Sequence, residues 1–220
     1  LMTLNSEGDP NFICENDDET DFPEDGLRSI TPLTLTGQSY TNKCVSIFWE
    51  SEPDIYQYFG SETGAFLTSL FNASATLFAN DNITVNLSEL FIWTSGPTPY
   101  SGTSSSTVLS NYRFYRNISG FNGDLAHWLS IDRLSGGRAY LDSLCTTNRY
   151  AVSTIFNFFL IPNAYSWSVN VVTHEQGHSF GSYHTHAPRW NSPNNIYPDF
   201  TNGTQIDGCG PICCSLYNEG

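Results

Sequence analysis

The sequence predicts an α/β layered domain built on a mostly parallel sheet. Two observations carry that expectation. β-branched and aromatic runs alternate between residues 44 and 159 with longer segments of helical spacing, and one more helical segment closes the series at 167–180. The 220 residues also suffice for one substantial core plus a short appendage.

Taken in order, residues 1–38 are acidic, rich in Pro, Gly and Asp, and without sustained periodicity. They read as an extended linker or the tail of a pro-segment, and the domain proper is expected over 39–220. Cys44-Val45-Ser46-Ile47-Phe48-Trp49 alternates as a first strand does. Between 53 and 80, Ile55, Tyr58, Phe59, Phe66, Leu67, Leu70, Phe71 and Leu77 recur at broadly helical spacing, so one long helix is expected despite Gly60 and Gly64. Residues 83–87, continuing to 91–93, suggest a second strand. The Gly/Pro/Ser-rich stretch 94–106 is a loop leading to a helix near 107–115. Residues 125–131 read as a third strand, 137–141 as a fourth bounded by a double glycine, and 152–159 as a fifth. Ser166 is the N-cap candidate of the next helix, which no proline interrupts. On a helical wheel Trp167, Val171, His174, His178 and Gly181 form one stripe, with Val169, Val172, Gln176 and Phe180 opposite. Beyond His184 four prolines (Pro188, Pro193, Pro198 and Pro211) break any element.

A formal net charge of −14 argues against a phosphate-binding role, because nucleic-acid affinity needs a basic surface. It argues equally against an anionic membrane surface as partner, and no apolar run approaches the roughly 20 residues of a membrane span. Six cysteines (14, 44, 145, 209, 213 and 214) lack the paired CxxC spacing of structural zinc and point to disulfides in an oxidising compartment. Their connectivity stays open. Asn-x-Ser/Thr sequons begin at Asn72, Asn82, Asn86, Asn117 and Asn202, as an Asn/Ser/Thr-rich chain produces by chance. The first residues carry no secretion signal.

The chemistry is concentrated in His174-Glu175-Gln176-Gly177-His178-Ser179-Phe180-Gly181-Ser182-Tyr183-His184, the pattern HExxHxxGxxH. Histidines four apart on a helix lie one turn above each other, about 40° apart around the axis, so both imidazoles can reach one metal ion. Glu175 sits beside the first of them, where a carboxylate can take the proton of a metal-bound water. Gly181 can adopt the left-handed conformation that ends a helix and lets the chain deliver His184 as third ligand. Three protein ligands leave a fourth zinc position open, as in catalytic rather than structural sites. The five fixed letters should coincide by chance roughly once in 10⁵ chains of this length.

These residues resemble the zinc signature of the metzincin metallopeptidases. Gly137-Arg138-Ala139-Tyr140-Leu141, followed by Cys145, resembles a segment of the reprolysin (adamalysin-like) branch. His184-Thr185-His186, Trp190-Asn191 and Ile206-Asp207-Gly208-Cys209 look most like its secreted bacterial members. The resemblance covers roughly residues 40–210. It implies a sheet of four parallel strands and one antiparallel edge strand, above a cleft floored by the histidine-bearing helix. It further implies one catalytic Zn²⁺ on His174, His178 and His184, with Glu175 as general base and later proton donor. Arg138, Ala139, Tyr140 and Leu141 would bind protein or peptide substrate as an added strand. The expected activity is that of a secreted zinc endopeptidase; the alternative is a catalytically silent adhesion or binding module on the same fold. Metzincins are named for a methionine turn after the third histidine, and Met2 is the one methionine here. The chain is therefore expected to stop before that turn.

Smaller signals resolve more simply. His186, two residues past His184, is expected to point away from the metal. His127 reads as a hydrogen-bonded strand histidine, and Cys14 as a disulfide partner rather than a latency switch on zinc. The acidic run 15–25 lacks the ordered spacing of a Ca²⁺ loop and reads as solvated linker. With a third histidine present, Asp207 and Glu219 are unnecessary as ligands.

Overall fold

The computed structural model describes residues 44–100, 102–131, 134, 136–156 and 166–185. Five strands, β1 (Cys44–Ser51), β2 (Thr84–Ile92), β3 (Leu125–Ser130), β4 (Gly137–Ala139) and β5 (Tyr150–Thr154), form one sheet in the order β2-β1-β3-β5-β4. β1 pairs in parallel with β2 and β3, β3 with β5, and only β4 runs antiparallel, on β5 at the sheet edge. The expected α/β class, mostly parallel sheet and antiparallel edge strand are all present.

The strand sequences explain why the sheet lies in the middle. Every residue of β3 and β5 is buried, the mark of strands covered on both faces. Successive side chains alternate between two cores. Ile47, Trp49, Leu125 and Leu129 point to the face packed by α2 (Thr63–Asn80) and α4 (Trp167–Ser179), where Leu67, Leu70, Phe71, Val169, Val171 and Val172 meet them. Phe48, Ala126, Trp128, Tyr150 and Val152 point to the other face, under Val108, Leu109 and Tyr112 of α3 (Ser105–Ser119).

Four boundaries differ from the sequence reading. The single helix over 53–80 is two, α1 (Pro53–Phe59) and α2, joined by a 3₁₀ turn at Gly60–Glu62. Gly60 stands at φ +55°, a conformation that favours glycine, and Thr63 Oγ1 donates to its carbonyl at 2.8 Å. α3 starts earlier and ends later than 107–115. The Ser104 hydroxyl accepts from Thr107 N–H to open it, and Gly120 at φ +75° closes it. β5 starts at Tyr150 and ends at Thr154, because β3 stops at Ser130 and β4 pairs no further than Gly137 with Ser153; residues 157–159 of the expected strand lie outside the described residues. β4 is three residues rather than five. Tyr140 only extends it by donating to the Tyr150 carbonyl at 3.4 Å, and Leu141 lies outside it.

A buried ion pair lies beneath α3. Glu50, at the end of β1, is fully buried and forms an ion pair with Arg116 at 2.7 Å, while Trp93 Nε1 and the Tyr100 hydroxyl donate to its other oxygen. Burial, with the Glu50 charge second, raises the Tyr100 hydroxyl pKa far above the ordinary phenol range. Among the described residues no helix is long and apolar enough to cross a membrane. Cys44 and Cys145 are exposed free thiols. The other four cysteines, the acidic segment 1–38 and His186 lie outside the described residues.

Candidate metal centre

The segment that carries the histidines is held from both ends. At its start, Ser166 occupies the N-cap position but its side chain makes no cap bond. The neighbours act instead: Ser168 Oγ accepts from Phe156 N–H at 3.0 Å, and Trp167 Nε1 donates to the Thr154 carbonyl at 3.1 Å. Both tie the first turn of α4 to the end of β5. At its finish the chain forms a Schellman turn. Ser182 N–H donates to Gly177 O and Gly181 N–H to His178 O, both at 2.9 Å, with Gly181 at φ +92°. This is the left-handed glycine that the sequence calls for. A second cap comes from the segment after β4: Asp142 N–H reaches His178 O at 2.9 Å, while Ser143 and Leu144 N–H both reach Ser179 O at 3.1 Å. The carbonyls that a helix end leaves unmatched are thus supplied with donors from elsewhere in the chain.

The turn delivers His184 to the two helical histidines. Nε2 of His178 lies 2.9 Å from Nε2 of His174 and 3.1 Å from Nε2 of His184. Three nitrogens around one zinc at 2.0–2.1 Å in tetrahedral geometry would stand about 3.3 Å apart, so the donor set already has nearly the spacing of a shared ion. The tautomer agrees. His178 Nδ1 donates to the Ser182 carbonyl at 2.7 Å, which leaves the Nε2 lone pair facing the other two rings. His178 and His184 are buried and His174 half-buried. Among the described residues, this is the group of histidine, cysteine or acidic side chains whose ligand atoms converge closely enough to hold a metal ion. Three converging imidazole nitrogens suit zinc.

Glu175 is fully buried, on the side of α4 turned to β4, and its Cγ and carboxyl group pass directly over Gly137. Arg138 is half-buried in β4 and Ala139 buried. Tyr140 and Leu141 are half-buried just beyond it.

Behind the metal face lies a polar chain that the sequence did not disclose. Thr173 Oγ1 donates to Ser74 Oγ at 2.8 Å, and Ser74 Oγ donates to Gln176 Oε1 at 3.3 Å. Gln176 Nε2 donates to His127 Nδ1 at 3.1 Å, so His127 Nε2 carries the proton toward Ser153 Oγ at 2.8 Å. All but Thr173 are buried. Desolvation pushes the His127 pKa down from 6.5 to about 3, keeping the ring neutral. His127 is therefore a hydrogen-bonded core histidine, as its place in a strand implied, and the chain locks α4 in register against α2, β3 and β5. Besides His127 itself, a polar Gln176 among apolar neighbours on the back of the helix was the available signal.

A reprolysin family model, described as Metallo-peptidase family M12, matches residues 41–215. No curated protein matches the chain. Among solved structures, one described as "Structure of a chaperone-substrate complex" is similar at 14% identity and a TM-score of 0.49. The likeness covers 64% of this chain and 26% of that one.

Proposed function

The chain belongs to the reprolysin-type metallopeptidases of family M12, and on that premise we propose that it is a zinc-dependent endopeptidase. His174, His178 and His184 would hold the ion and Glu175 would handle the proton. Peptidases of this family are zinc-dependent and act on protein or peptide substrates. The observation that carries the residue assignment is the convergence of three imidazole nitrogens beside a buried carboxylate one residue along the same helix.

Zinc, when bound, supplies Lewis acidity toward the scissile carbonyl and the attacking water. The chain supplies the rest. The Ser182 carbonyl orients His178, and the Schellman turn fixes the approach of His184. Glu175 accepts the proton of the attacking water and returns it to the leaving amine. Its burial shields that transfer from bulk solvent.

β4 would hold the substrate. Even-numbered residues bond inward: Gly136 O accepts from Thr154 N–H, and Tyr140 N–H donates to Tyr150 O. The alternation of an antiparallel ladder then turns the N–H and C=O groups of Gly137 and Ala139 to the outer edge, where an extended peptide can add as a strand. This shifts the expected substrate segment Arg138–Leu141 one residue toward the amino end. Such main-chain recognition suits an endopeptidase, and secretion is the setting in keeping with the family.

The test pairs Glu175→Ala with the parent protein, measuring zinc content and hydrolysis of a casein-type substrate. The expected result is one zinc per chain in both and turnover in the parent alone. Hydrolysis by the variant would remove Glu175 from the mechanism. Zinc without hydrolysis in the parent would favour a silent binding module.

A further inference from the structure

We infer that Gly137 is a positioning residue for Glu175, acting by having no side chain. The inference rests on the proposed role of Glu175 as the proton-handling group. A Cβ at position 137 would lie 2.5 Å from Glu175 Cγ, 2.6 Å from Oε1 and 2.8 Å from Cδ, all inside the distance at which carbon contacts occur. The Glu175 side chain is the partner that has to give. Glu175 is fully buried, so its carboxyl group can shift only against its neighbours. The β4 backbone is pinned on its far side, where Gly137 pairs with Ser153 and Gly136 O accepts from Thr154 N–H at 2.8 Å.

The glycine is not there for its backbone, since Gly137 is absent from the positive-φ residues. Clearance is its function. Three further hydrogen bonds tie the same segment to the same helix, for the amides of residues 142–144 cap the α4 carbonyls. The stretch 137–144 thus braces the carboxylate-bearing helix as well as edging the cleft. Gly137 sets how closely β4 approaches that helix and so where the carboxylate sits relative to the imidazole cluster.

Gly137→Ala separates this role from substrate binding, because alanine keeps the N–H and C=O groups that an added peptide strand would use. A displaced carboxylate should lower kcat about 100-fold, the scale of a misplacement near 1 Å, with KM little changed and one zinc retained. An unchanged kcat with a raised KM would overturn the inference. The thermal midpoint gives a second readout that needs no turnover. Glu175→Ala removes the three atoms that the new methyl would meet most closely, so Gly137→Ala should lower the midpoint in the parent and leave it nearly unmoved in the Glu175→Ala background. An equal drop in both, or failure to fold in both, would sink the idea; folding only in the Glu175→Ala background would support it. Turnover by Glu175→Ala alone would remove the proton-handling assignment, while the thermal comparison would still decide whether Gly137 makes room for Glu175.

Discussion

His127 should make the protein acid-labile in a way that one substitution removes. Its ring is fully buried among Trp49, Ser153 and Gln176, with no charged group among these contacts, and its pKa falls from 6.5 in the unfolded chain to about 3 in the folded one. A base whose pKa is lowered by folding contributes stability that is complete above the unfolded value and declines as pH falls below it. Between pH 6.5 and pH 3 the unfolded chain binds a proton that the native one refuses, at about 1.4 kcal/mol per pH unit. By pH 4 the loss from this residue alone should reach about 3 kcal/mol. His127→Gln can still meet Gln176 and Ser153 through an amide that does not titrate. The assay is urea unfolding from pH 7 to pH 4 for both proteins, with chelator present so that metal release is common to both. The variant should be the less stable at pH 7 and gain on the parent by about 3 kcal/mol at pH 4. A stability difference independent of pH would refute the argument.

Other substitutions probe other links. Arg116→Ala leaves Glu50 buried without its ion pair and should cost about 3–5 kcal/mol, lowering the thermal midpoint by about 10 °C. Gly181→Ala forces a side chain into a φ near +92°, with a stability cost of about 1–2 kcal/mol. Zinc affinity should fall with it, read by competition with a chromogenic chelator. His184→Ala should lower zinc content below one equivalent; an unchanged content would place the third ligand elsewhere, with His186 first to test. Chelation of the parent should abolish hydrolysis and lower the thermal midpoint, and added zinc should restore both.

What the sequence disclosed follows the range of the interactions involved. The spacing of His174, His178, Gly181 and His184 is a local matter, and helical geometry determines where those side chains go. Strand identity was partly legible: the run 125–131 contains β3, while the run 152–159 overlaps β5 only at 152–154. The break at Gly60 was misjudged because spacing alone cannot weigh one glycine against the 3₁₀ turn that Thr63 stabilises. The limits of β4 and β5 depend on where neighbouring strands stop. The His127–Gln176 contact spans 49 residues in sequence and the Glu50–Arg116 bond 66. Long-range pairings of that kind leave only a polar letter in an apolar setting as their trace.

That difference in range has a consequence for how the protein assembles. The three rings proposed to hold the metal lie within eleven consecutive residues, so closing the loop between them costs little entropy. The setting of Glu175 is different, since β4 must first find β5 and then α4, and such non-local pairing forms late and slowly. Metal capture and catalytic competence should therefore be separate events during folding. A chain that has wound α4 and its glycine turn already has its ligands in place, while the carboxylate awaits the sheet edge. Zinc uptake would then report the helix, and only proteolysis would report the finished domain.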